Sequence, residues 1–202
     1  MSYELNALEG GVLEAGPNDP AALTASIAAP LGRELSRLGS GLGLAAVYGL
    51  ALGARSGGVD LIRHALGAPL GVMAVALVAA PSLFVRLALM DAPLRPAQML
   101  AAVAQGAFTT GLVLAGLAPA AAMLVVSIES APAAAWMSGL GLWLAGGIGL
   151  FNSCAAIKRG LAGADLRMQS RAFFALAVFT LLSCALSARV WCAWLPLLRG
   201  GS

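Results

Sequence analysis

The spacing of charges constrains this chain more than any other feature. Five long stretches carry no Asp, Glu, Lys or Arg: 38–54, 64–85, 96–128, 130–157 and 172–188. A helix that crosses a bilayer needs roughly 20 apolar residues, about 17–25. Charged residues make up only 10% of the chain and hydrophobic ones 60%, against about 25% charged in soluble domains. So few charges cannot clothe a water-facing surface. Soluble enzymes and secreted disulfide scaffolds are excluded on this ground, and a mean hydropathy of +0.89 agrees.

The expected fold is therefore an all-α integral membrane protein, a bundle of five transmembrane helices with a cytoplasmic amphipathic N-terminal helix. The spans are expected at about 38–54, 64–85, 97–128, 133–157 and 172–194 within 38–198. The third run is too long for one upright helix, because at about 1.5 Å per residue it would measure roughly 50 Å against a hydrocarbon core of about 30 Å. A tilted span kinked near Pro119 is the simplest solution, with a re-entrant piece at 117–128 as the alternative. Residues 190–198 are expected to finish the fifth helix, not to begin a sixth.

Two segments precede the spans. Residues 1–19 carry Glu4, Glu9, Glu14 and Asp19 and no Lys or Arg, which reads as an acidic flexible tail and not as a signal peptide. Asp19-Pro20 is a helix-start signal. Leu23, Ile27, Leu31, Leu35 and Leu38 follow at helical spacing, so 20–37 reads as an interfacial amphipathic helix or as an extension of the first span.

Basic residues in short loops set orientation. With five spans, Arg33, Arg37, Arg86, Arg95, Lys158, Arg159, Arg167 and Arg171 fall on one side, and Arg55, Arg63, Arg189 and Arg199 on the other. The N-terminus is therefore expected in the cytoplasm, in a bacterial inner membrane. Trp136, Trp191 and Trp194 would lie at the outer interface, where an apolar ring with a polar N–H is favoured. The net charge of +3 comes from these scattered loop residues, so no nucleic-acid partner is expected.

Small residues recur at every fourth position. The first span has Gly41, Ala45, Gly49 and Gly53, the fourth has Gly141, Ala145, Gly149 and Ser153, and the third has Ala107, Gly111 and Ala115. This spacing puts them on one helix face, where two backbones can approach closely. The pattern leaves open whether the contacts lie within one chain or between chains.

Little else carries chemistry. Cys154, Cys184 and Cys192 are scattered, and His64 is the one histidine, so no disulfide framework, metal site or cofactor is expected. HExxH, GxSxG and phosphate-loop motifs are absent, and no catalytic residue is assigned. Arg86, Arg95, Glu129, Gln105 and Asn152 are candidates for a lipid or polar site, since polar groups at membrane depth pair across helices or mark a path.

The run Pro81–Ser127, with Pro93-Leu94 and Gly116-Leu117-Ala118-Pro119, resembles a family of small, uncharacterised bacterial multi-span membrane proteins. Ala155-Ala156-Ile157-Lys158-Arg159-Gly160-Leu161 adds to the likeness. The resemblance implies a multi-span architecture and brings no activity or site. The expected function is a non-catalytic membrane anchor or assembly subunit of a larger complex, with the bilayer and a protein partner or second copy as partners. A small transporter or channel component, with a polar site in the third and fourth spans, is the alternative.

Overall fold

A computed structural model describes residues 20–54, 58–90, 92, 95–163 and 165–195, with the side chains of 20–28 and 131 left aside. The expectations for 1–19 and for Leu23 and Ile27 therefore lie outside the described residues and side chains, as do Arg55, Asp91, Pro93-Leu94, Pro196 and Arg199. The described residues are nearly all helical, with no strand among them. The helices are α1 (Pro20–Gly53), α2 (Gly58–Ala74), α3 (Ala80–Leu89), α4 (Pro96–Ser127), α5 (Ala131–Gly160) and α6 (Leu166–Trp194). A π-turn, Val75–Ala79, joins α2 to α3. Five helical stretches are long and apolar enough to cross a membrane: Ala29–Gly53, Gly58–Leu89, Pro96–Ser127, Pro132–Gly160 and Leu166–Trp194. The chain divides into a unit 1–33 and a unit 34–202, and the bundle described here is the second.

Several element limits differ from the sequence reading. α1 runs without a break from Pro20 to Gly53, with Pro30 inside it, so no helix end separates 20–37 from the first span. A single Pro deletes one hydrogen bond, which a helix of 34 residues can lose. Pro119 likewise sits inside a continuous α4, so 117–128 is not re-entrant. The second span breaks instead at Val75–Ala79. Pro81 has no N–H, and its ring would crowd the carbonyl four residues back. The wider turn relieves that crowding, with Ala80 N–H donating to the Val75 carbonyl and Ser82 Oγ to the Ala79 carbonyl at 2.7 Å.

Local signals fix the helix ends. Gln98 Oε1 accepts the Arg95 N–H at 3.0 Å where α4 begins, and Asp165 accepts the Leu166 N–H at 2.8 Å where α6 begins. Lys158 and Arg159 occupy the last turn of α5, where the helix dipole favours cations. Lys158 Nζ also lies 5.0 Å from the centre of the Phe173 ring.

Two clusters of buried side chains mark the two ends of the bundle. One gathers Leu83, Leu87, Met99, Val103, Ile157, Leu161, Leu176 and Phe179, with Leu38 against it. The other gathers Tyr48, Leu52, Ala68, Leu114, Ala121, Leu142, Trp191 and Leu195. Each span contributes early residues to one cluster and late residues to the other, alternately. The topology is up-and-down, with α1, α4 and α6 parallel and α2–α3 and α5 antiparallel to them. The outward surface is apolar: Leu112, Met123, Trp136, Trp143, Phe151 and Leu181 are all exposed. Soluble monomers rarely expose so many large apolar side chains together.

Candidate functional site

The glycines of the small-residue stripes lie against neighbouring helices of the same chain. Between α1 and α4, a Cβ on Gly41 would stand 2.6 Å from the Ala107 carbonyl oxygen, and one on Gly111 would stand 2.8 Å from Gly41 Cα. Between α1 and α2, a Cβ on Gly49 would meet the His64 carbonyl and lie 2.9 Å from Ala65 Cα, and one on Gly53 would lie 2.8 Å from Leu61 Cα. Between α4 and α5, Gly106 and Gly149 face each other: a Cβ on Gly149 would lie 2.7 Å from the Gly106 carbonyl oxygen and strike Thr110 Oγ1. Ala45 and Ala145 are fully buried and Ser153 nearly so. Backbones this close exchange dispersion over several turns, which is what apolar helices gain from packing without a hydrophobic drive.

Other glycines seat aromatic rings. Gly141 makes room for the Tyr48 phenol, whose Oη donates to the Ser138 carbonyl at 3.0 Å. Gly71 makes room for the Trp191 indole, whose Nε1–H donates to the Ala68 carbonyl at 3.1 Å. The sequence expectation for Trp191 is thereby corrected. It is only 5% exposed and pins α6 to α2, whereas Trp136 at 77% and Trp194 at 52% do face outward. Its hydrogen-bond partner is a helix carbonyl and not the interface.

The interior polar groups are mostly turned back on their own helices. Thr110 donates to the Gly106 carbonyl at 3.0 Å, Ser138 to Ala134 at 2.7 Å, Ser153 to Gly149 at 3.1 Å and Thr180 to Leu176 at 2.9 Å. His64, expected at an interface, is completely buried beneath α1, and its Nδ1–H donates to the Asp60 carbonyl at 2.7 Å. Gly49 and Gly53 in α1 are what let it sit there. The Asp60–Arg63 ion pair, at 3.6 Å, is exposed and contributes little, while the Glu34–Arg37 pair at the same distance involves a carboxylate only 15% exposed.

The five candidates for a lipid or polar site are not gathered into one place. Arg86 and Arg95 are exposed at the end of the bundle marked by Leu87 and Leu161. Glu129 is exposed in the short α4–α5 connection at the other end, beyond Val125. Gln105 faces outward along α4 and Asn152 is half-buried on α5. Cys154 and Cys184 are half-buried and Cys192 exposed, all as free thiols. Among the described residues no cluster of His, Cys, Asp or Glu could hold a metal ion. One polar feature was missed from the sequence. Thr110, Ser153 and Ser187 line a cavity of about 50 Å³ beside the π-turn. Pro81, inside the charge-free run 64–85, was the available signal.

No family model, no curated protein and no solved structure matches the chain.

Proposed function

We propose that this is a non-catalytic integral membrane protein, an anchor or assembly subunit that holds a partner within the membrane. Its five helices cross a bacterial inner membrane with the N-terminus in the cytoplasm. The orientation is supported by the charges at the two ends of the bundle. Arg37, Arg86, Arg95, Lys158, Arg159, Arg167 and Arg171 share one end, against Arg63 and Arg189 at the other among the described residues.

The observation that carries the anchor reading is the two-faced character of α5. Its small face is used up against α4 and Tyr48. Its opposite face presents Trp136, Leu140, Trp143, Leu144 and Phe151, all exposed and at helical spacing. Rigid aromatic side chains of this kind contribute most where a second surface covers them. A partner recognised by this protein therefore meets bulky α5 residues, not the glycine stripes.

The test is purification in mild detergent of the parent and of the double variant Trp143→Ala/Phe151→Ala. A stoichiometric partner, or a second copy, is expected with the parent and is expected to be lost from the variant. Survival on heating should change by no more than about 0.5 kcal/mol, as for exposed positions generally. A parent that purifies as a lone monomer in detergent and in nanodiscs contradicts the reading. The transporter alternative draws on one observation, the break in the second span beside the hydroxyl-lined cavity. Ion or solute flux through liposomes containing that lone monomer would favour it.

A further inference from the structure

An open groove runs along half of the second span. Every residue that lines it is apolar, and its volume is about 350 Å³. Ala80, Met99 and Val103 are buried in its floor, while Leu35 and Leu77 are exposed at its rims. Along the second span it reaches from Met73 to Phe84, roughly 16 Å at about 1.5 Å per residue. That span is Gly58–Leu89, so Met73 stands at its midpoint and Phe84 toward its basic end. The groove is therefore one leaflet deep, about half of a hydrocarbon core of roughly 30 Å. Cations stand on three elements around its basic end. Arg37 lies between Leu35 and Leu38 in α1, Arg86 lies two residues beyond Phe84, and Arg95 immediately precedes Pro96, and all three are exposed. Glu34 holds Arg37 at 3.6 Å, whereas no carboxylate among the described residues pairs with Arg86 or Arg95.

We propose that this groove holds an acyl chain of an acidic phospholipid, with the phosphate of that lipid at Arg86 and Arg95. The inference rests on the reading of the five helices as membrane-spanning, and not on the anchor role. Length selects a lipid over a helix. A lipid chain reaches from the headgroup to the midplane, as the groove does. A partner helix crosses the whole core and would leave half of its length outside the groove. The walls offer only dispersion, which is all that hydrocarbon needs and too little for a polar solute. Charge selects the headgroup. Arginines without a carboxylate partner attract a net negative headgroup, and a guanidinium fork matches phosphate oxygens. A zwitterionic headgroup brings its own cation, which the arginines repel.

The test is native mass spectrometry of the full chain released from nanodiscs. The discs contain equal amounts of phosphatidylglycerol and phosphatidylcholine with the same acyl chains. The parent is expected to keep at least about ten-fold more phosphatidylglycerol, since each arginine at a charged lipid surface is worth roughly five-fold. Equal retention of the two lipids would overturn the proposal. Arg86→Gln/Arg95→Gln is expected to abolish the preference. Arg63→Gln/Arg189→Gln removes the same charge from the other end and should leave it unchanged. Equal losses in the two pairs would also overturn the proposal. Ala76→Phe fills the groove and should release most of the phosphatidylglycerol. Full retention by this variant, once folded, would mean that no chain lies in the groove. The parent comparison decides the matter if a variant fails to fold. A lipid-free dimer that Ala76→Phe breaks would put a second copy in the groove and overturn the proposal. A chain that does not enter nanodiscs would contradict the membrane-spanning reading and the proposal with it, an outcome distinct from a chain that enters and holds both lipids alike.

Discussion

Gly111→Ala is expected to weaken the bundle by about 2 kcal/mol, while Gly116→Ala in the same helix is expected to strengthen it slightly. A methyl on Gly111 collides with the Gly41 backbone, and nothing lies within 4 Å of Gly116. Overpacking costs about 1–3 kcal/mol, and the upper end applies where the obstacle is backbone that cannot rotate aside. Relief of the glycine penalty gives back up to about 1 kcal/mol at any helical site. At Gly111 the collision wins, and at Gly116 only the gain remains. The same contrast holds for Gly41 against Gly43 in α1 and for Gly149 against Gly147 in α5. Gly49→Leu and Gly149→Leu should do more damage than the alanine variants. Leu112→Ala, at an exposed site, should do little. The measurement is the fraction still folded after heating in detergent. Equal losses for the crowded and open glycines would mean that the seams are not as described.

Trp191→Ala is expected to cost about 3–5 kcal/mol, the range for emptying a buried aromatic site. The indole fills the space above Gly71 and joins α6 to α2, so its loss both leaves a cavity and removes the hydrogen bond to the Ala68 carbonyl. Trp191→Phe keeps most of the ring and loses the N–H, and Tyr48→Phe loses only its hydroxyl. Tyr48→Phe should cost about 1 kcal/mol, the net worth of one hydrogen bond, and Trp191→Phe more, because it also leaves part of the indole site empty. Trp136→Ala is the control. It removes the same side chain from an outward position and should shift stability by no more than about 0.5 kcal/mol. Equal effects at 136 and 191 in heated detergent samples would mean that Trp191 is not a core residue.

Those two tryptophans also show where the sequence is legible and where it is not. Charge-free runs mark five helices because an apolar helix has the same composition wherever it packs. Fourfold spacing marks the seams because a close backbone approach needs a whole face of small residues. Neither pattern says which face meets which helix. Gly49 could have met any neighbour, and only the fold pairs it with His64. Trp136 lies near the start of one span and Trp191 near the finish of another, and their own neighbours do not separate them. The distinguishing residue, Gly71, lies on another span more than a hundred residues away. The π-turn was missed for a similar reason. Pro81 and Pro119 both lie in apolar helices, and only one of them widens the turn before it. The function is less legible still, because an anchor acts through an apolar face that differs from a lipid-facing one only in what covers it.

The central claim is that the five apolar helices cross a membrane, with the basic end of the bundle inside. Reporter fusions after residue 18 and after residue 199 test it most directly, using one reporter active only in the cytoplasm and one active only outside. Five crossings place the two termini on opposite sides, with the 18 fusion reporting inside and the 199 fusion outside. Both fusions reporting the same side would contradict the account, because an even number of crossings leaves one of the five helices out of the membrane.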